Sequence, residues 1–162
     1  MGHPLDDVMD GLLALVCPDG PDRNGVMTAT AAGLDGVLVL DGQQTDDPSE
    51  PEFLGIGLAI DEAADAFGDD TQGWGRRRDT TYQIGCLAQV WAGDTEMAPR
   101  RRRVLQILDA FRALLLADET VGGSCTRAWL ESWRYQGEQS SIGSTALVQF
   151  TVAVNAVRFE GE

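Results

Sequence analysis

The chain has 162 residues, 43% of them hydrophobic, with 26 acidic and 12 basic side chains for a formal charge of −14. That length suits one domain with a full core, and an acidic total argues against general nucleic-acid binding, which needs a net basic face. Three cysteines without a CxxC pair, Cys17, Cys86 and Cys125, fit a fold made among reducing thiols rather than a disulfide scaffold.

The charge is unevenly placed. Residues 1–70 hold sixteen acids against Arg23 alone, a net −15, whereas residues 71–162 hold ten acids against eleven arginines, a net +1. The sequence offers no apolar run of about 18 residues for a membrane span. Its first twenty residues also lack the basic start and small-residue cleavage site of a signal peptide, so a cytosolic place of synthesis is expected.

In chain order, Leu5, Val8, Met9, Leu12, Leu15 and Val16 keep helical spacing between Pro4 and Pro18, with Asp6, Asp7 and Asp10 on the polar face. A turn-rich stretch from Asp19 to Gly33 precedes a short strand, Val37 to Leu40, closed by Asp41-Gly42. Gln43 to Glu52 is polar and acidic, and Phe53 to Ile60 reads as a second strand weakened by Gly55 and Gly57. Residues 61–78, rich in acids and glycine, are expected to form a mobile surface loop carrying Asp61, Glu62, Asp65, Asp69 and Asp70.

Thr80 to Ala92 alternates cleanly, with Tyr82, Ile84, Cys86, Ala88 and Val90 on one face and Gln83, Leu87, Gln89 and Trp91 on the other. A long helix follows. Val104, Ile107, Leu108, Phe111, Leu114 and Leu115 form its apolar stripe, Pro99 suits its first turn, Thr95 or Glu96 can serve its free amides, and Gly122-Gly123 marks its stop. Cys125 to Tyr135 reads as a strand with three aromatic residues, Gln136 to Gly143 as a polar turn, and Ala146 to Val157 as a long closing strand.

This order predicts one α+β domain over residues 1–162: an antiparallel or mixed sheet of about five strands with two helices on one face. The other face would then show Leu87, Trp91, Leu147 and Val157 to solvent, too apolar for an isolated monomer. Leu105 and Leu116 lie on a shoulder of the long helix outside its stripe. Arg100, Arg101, Arg102 and Arg103 crowd that helix's N-terminus against the positive end of its dipole, which calls for an acidic partner. Together these six residues are the predicted subunit interface. An acidic patch of a neighbouring copy suits the arginines, and unlike surfaces meeting head to tail close into a ring.

Catalytic readings find little purchase. His3 is the single histidine and sits at the chain's start, so His-based triads and histidine-rich metal sites are nearly excluded. The acidic run DEAADAFGDD lacks EF-hand spacing, and neither Gly73-Trp74-Gly75 nor Gly122-Gly123 has the spacing of a phosphate-binding loop. No catalytic residue, metal ligand or cofactor is predicted.

The succession of elements resembles the tail terminator proteins of long-tailed bacteriophages. The resemblance runs through an N-terminal helix, the strand before Asp41-Gly42, Pro51 and the strand after it, and the strand ending Trp91-Ala92-Gly93-Asp94. It continues in the arginine-containing helix with Leu108 and Leu114-Leu115, the link from Ala117-Asp118 to Gly122-Gly123, the Trp129 segment, and the last strand through Phe150, Val152 and Val154.

It implies a structural subunit, not an enzyme. Such a protein forms a hexameric ring that caps the tail tube, stops its polymerisation and offers a surface to a head-completion or connector protein, in the virion and, during assembly, in the host cytoplasm. DNA would pass the lumen without specific binding. Six copies would carry six times −14 charges, which repels phosphates; the 61–78 segment departs from the family pattern, and its acids are candidates for the lumen or rim. A head–tail joining or other minor tail protein, and a small acidic binding or regulatory module, are the alternative expectations.

Overall fold

The computed structural model describes residues 3–42, 51–57, 66–72 and 77–159. Its elements are α1 (Pro4–Val16), β1 (Met27–Thr28), β2 (Leu38–Asp41), β3 (Glu52–Ile56), β4 (Ala66–Gln72), β5 (Arg77–Ala92), α2 (Met97–Ala117), β6 (Arg127–Ser140) and β7 (Gly143–Phe159). The fold is α+β. One mixed sheet runs β1-β2-β3-β5-β7-β6, with β4 paired to β5, and among the described residues the one parallel contact joins β2 to β3. Seven strands therefore stand where the sequence predicts about five.

Both helices cover one face, as the apolar periodicities require. Val8, Leu12 and Val16 of α1 and Val104, Ile107, Leu108, Phe111 and Leu115 of α2 are buried in one cluster with Ile84, Cys86 and Ala88 of β5 and Val148, Phe150, Val152 and Val154 of β7. Phe111 meets Phe150 at 5.2 Å between ring centres, in a tilted aromatic pair. The long β5–β7 ladder, from Arg77 with Phe159 to Ala92 with Ser144, is the spine of the sheet.

The helix ends are set by local chemistry. His3, expected at a frayed end, is the N-cap of α1: its Nδ1 accepts the Leu5 amide at 3.1 Å, and its ring meets Tyr82 edge-on. At α2 the N-cap is Glu96, whose side chain caps no amide; Asp94 instead braces the turn before the helix by accepting the Glu96 amide at 3.0 Å. The helix also stops before Gly122-Gly123. Asp118 takes over at its C-cap, its carboxylate accepting the Gly122 amide at 2.8 Å and the Thr120 hydroxyl at 2.9 Å. These bonds, the Gly122 amide first, lower the Asp118 pKa.

Val121 then adopts a φ of 51°, which a β-branched residue takes only under constraint. Here the constraint is burial against α1 at Gly11, where a Cβ would come within 2.8 Å of Val121 Cγ1. Gly11 thus lets α1 sit close on the exit turn of α2.

Besides the two-residue β1, which pairs with β2 inside the stretch expected to be turn, three strand readings change. Within the segment expected as a mobile loop, Ala66–Gln72 and Arg77–Arg78 are strand, paired Ala66 with Ile84 through Gln72 with Arg78. A β-ladder needs main-chain groups rather than apolar side chains, so polar composition concealed it. The remainder of that expectation lies outside the described residues. The polar run after Tyr135 is likewise strand as far as Ser140, because β6 lies at the sheet edge, where polar side chains meet water.

Finally, a bulge between Leu130 and Ser132 resets the alternation of β6. Trp129 pairs with Ala153 on the open face, whereas Trp133 and Tyr135 pair with Phe150 and Val148 on the helix side. Regular alternation would have placed all three aromatic residues together.

Candidate functional site

The predicted interface residues separate into two groups once α2 is seen in place. Arg103 is a structural tie: its Nε and Nη2 donate to the two oxygens of Glu52 at 2.7 and 3.1 Å, and its Nη1 donates to the Gly33 carbonyl at 3.2 Å. This fork joins α2 to the start of β3 and to the turn before β2. Arg100 bridges Asp94 at 3.2 Å, with its Nε buried and without a hydrogen-bond partner among the described residues. The acidic partners called for at the helix start are thus supplied, for these two arginines, by the same chain. Leu105 is also drawn inward, half-buried against the core.

The second group stays open to solvent. Arg101 and Arg102 are exposed, and Leu116 is 67% exposed near the end of α2. Leu116 borders a groove of about 130 Å³ between the last turns of α2 and the beginning of β6, lined also by Arg112, Leu115, Glu119, Trp129 and Leu130. Arg127 lies over the Trp129 ring at 5.3 Å, a cation–π contact along the β6 edge beside the groove. Trp133, on the same side of β6 as Leu130, is 50% exposed.

At the other end of β6 the hairpin to β7 projects Ile142, 78% exposed, with Trp91 of β5 beside it at 45%. An open cleft of about 450 Å³ lies here, bounded by Trp91, Glu138, Gln139, Ile142 and Thr145. Its lining holds one ionisable side chain, Glu138, which accepts from the Gln136 amide, and the Ser140 hydroxyl, which accepts the Ile142 amide at 3.3 Å within the hairpin turn. The hairpin base is anchored to the entry of α2 by Gln139 donating to the Thr95 carbonyl and Ser144 to the Glu96 carbonyl.

These margins were only half visible in the sequence. Leu116 was found from its helical phase. Ile142 sits in a run dismissed as polar turn, and Trp133 needed the bulge to be placed on the helix side.

The open sheet face is less apolar in effect than expected. Leu87 and Leu147 are half-buried among Gln89, Gln149 and Thr151, and only Trp91 of the four residues named for that face is shown exposed; the side chain of Val157 lies outside the described residues. Asp61, Glu62 and Asp65 also lie outside them. Asp69 and Asp70 fall in β4, opposite Thr81 and Thr80.

The cysteines are structural. Burial pushes the Cys86 thiol up to about 12 and, with the nearby Asp118 charge second, Cys125 to about 11, so neither is an activated nucleophile. Among the described residues no three His, Cys, Asp or Glu side chains gather as a metal site, and no helix is long and apolar enough to cross a membrane. Comparison with known proteins finds no family model that matches the chain and no curated protein that matches it.

Proposed function

We propose that this chain is a phage tail terminator subunit, a structural protein that assembles as a ring, most simply a hexamer, on the end of the tail tube. There it stops tube growth and offers the opposite ring surface to a head-completion or connector protein. The observation that carries the reading is a subunit with a full core in which, among the described residues, Leu116 and Trp133 at one margin and Trp91 and Ile142 at another stay exposed, besides Val26 in a loop. Leu116 borders one recess and Trp91 and Ile142 another, and exposed apolar groups gathered at a recess favour a contact surface over chance exposure. The order of sequence elements through α2 and the last strand supports the phage assignment, and the acidic first half supports a lumen that DNA passes without sticking.

Two measurements test it. In solution, native mass spectrometry should find a closed oligomer, and a strict monomer at high concentration would oppose the ring. Added to polymerising tube protein of the same phage, the chain should cap tubes and shorten their length distribution. Unchanged tube lengths from an oligomeric chain would move the assignment to a head–tail joining protein.

A further inference from the structure

The two exposed margins stand at opposite ends of one strand. With 14 residues at about 3.3 Å each, β6 separates the Ile142 tip from the Leu116 groove by roughly 40 Å, so the two cannot meet within one subunit. They differ in shape. The tip is a projecting aliphatic side chain on a two-residue turn, and the groove is a recess of about 130 Å³, well below the roughly 300–1,000 Å³ of small-molecule sites and on the scale of an inserted side chain.

They also differ in charge. The groove rim carries Arg112 and Arg127, held only loosely by Asp109 at 4.0 Å and Glu119 at 3.8 Å, whereas Glu138 beside the tip has the neutral Gln136 amide as its hydrogen-bond partner. A knob with a carboxylate and a socket rimmed by guanidinium groups complement one another.

We propose that Ile142 of one copy seats in the α2–β6 groove of the next, against Leu116, Trp129 and Leu130, with Glu138 facing Arg112 and Arg127. This rests on the ring reading and names its contact. The occupant is a second copy because knob, socket and opposite charges are all carried by this chain, and because tip and groove are different surfaces, the contact is heterologous and propagates in one direction until it closes.

Strand addition along β6 is the competing way to use this edge. The charges of Arg127, Glu131, Arg134 and Glu138 and the bulge at Leu130 oppose it, as such features do on protected edges. Side-chain insertion has no such obstacle.

The test is disulfide trapping in a Cys125→Ser background, since Cys17 and Cys86 are buried. Leu116→Cys and Ile142→Cys chains, mixed and oxidised with copper phenanthroline, should give a covalent dimer that neither gives alone. Both substitutions in one chain should give a ladder ending at the closed oligomer. Ile142→Asp, on an exposed turn and so expected to fold, should weaken self-association at least tenfold.

An oligomer that gives no mixed dimer, or Ile142→Cys chains that cross-link to each other, would overturn the tip-to-groove contact while leaving the ring in place. A wild-type chain that stays monomeric would overturn both readings.

Discussion

The two faces of this sheet are built from the same strands but stabilised differently. On the helix side, Ile84, Cys86 and Ala88 of β5 and Val148, Phe150 and Val152 of β7 are buried in one cluster with the apolar stripes of α1 and α2. On the open side the alternate residues, Gln83, Leu87 and Gln89 with Leu147, Gln149 and Thr151, mix leucines with amides and hydroxyls that shelter them. Polar neighbours with long stems can cover apolar surface while keeping their own heads in water. An alternating strand therefore does not by itself reveal whether its second face needs a partner. Here, among the described residues, Leu116 and Ile142 at the margins are far more exposed than Leu87 and Leu147 on the open face.

The sharpest test of the contrast is in the core. Phe111→Ala removes a fully buried ring from its contact with Phe150 and should destabilise the protein by about 3–5 kcal/mol in denaturant titration. Next in size is an alkaline effect centred on the helix side. Cys86 stays protonated in the folded chain up to about 12, but its thiol ionises near 9 once unfolded. Its contribution is complete below pH 9 and is lost as pH rises towards 12, at up to about 1.4 kcal/mol per pH unit. The stability–pH slope above pH 9 should be shallower in Cys86→Ala, whatever that variant's stability at neutral pH.

Smaller again is the tie at the edge of the helix layer. Arg103→Met should cost about 1–2 kcal/mol, since the fork to Glu52 is only partly screened, and a double-mutant cycle with Glu52→Gln should show coupling of comparable size. Smallest of all, Leu87→Gln or Leu147→Gln on the open face should change stability by about 0.5 kcal/mol or less and leave the native mass spectrum the same as that of the wild-type chain. A large loss of assembly from either would mean that the open face, not its margin, meets a partner.

How much of this was legible in the sequence follows from the range of each interaction. The stripe of α2 and the alternation of β5 and β7 are local patterns, and all three elements lie where the periodicity puts them. The partner of Arg103 is Glu52, 51 positions away, and no local pattern announces it. One inserted residue in β6 divides Trp129 from Trp133 and Tyr135, because a period of two has no memory once a bulge shifts it. The candidate site suffered most, since it depends on that strand: Leu116 was identified from helical phase, while the groove it borders and the tip bearing Ile142 required the true extent of β6.

The architecture of the β6–β7 hairpin also governs the order in which the molecule can form. Its arms join across Ser140 and Gly143, close enough in sequence to zip in about 1–10 μs. The central ladder instead joins residues from 52 positions apart, Ala92 with Ser144, to 82 apart, Arg77 with Phe159, so its loop closure is the slow step. The tip is thus available early. The groove is not, because one wall is β6 and the other is α2, and α2 is the segment that must settle across the sheet while that long loop closes. A chain still folding can therefore carry the exposed Ile142 turn before the recess beside Leu116 has both of its walls, which makes that recess a mark of the finished fold.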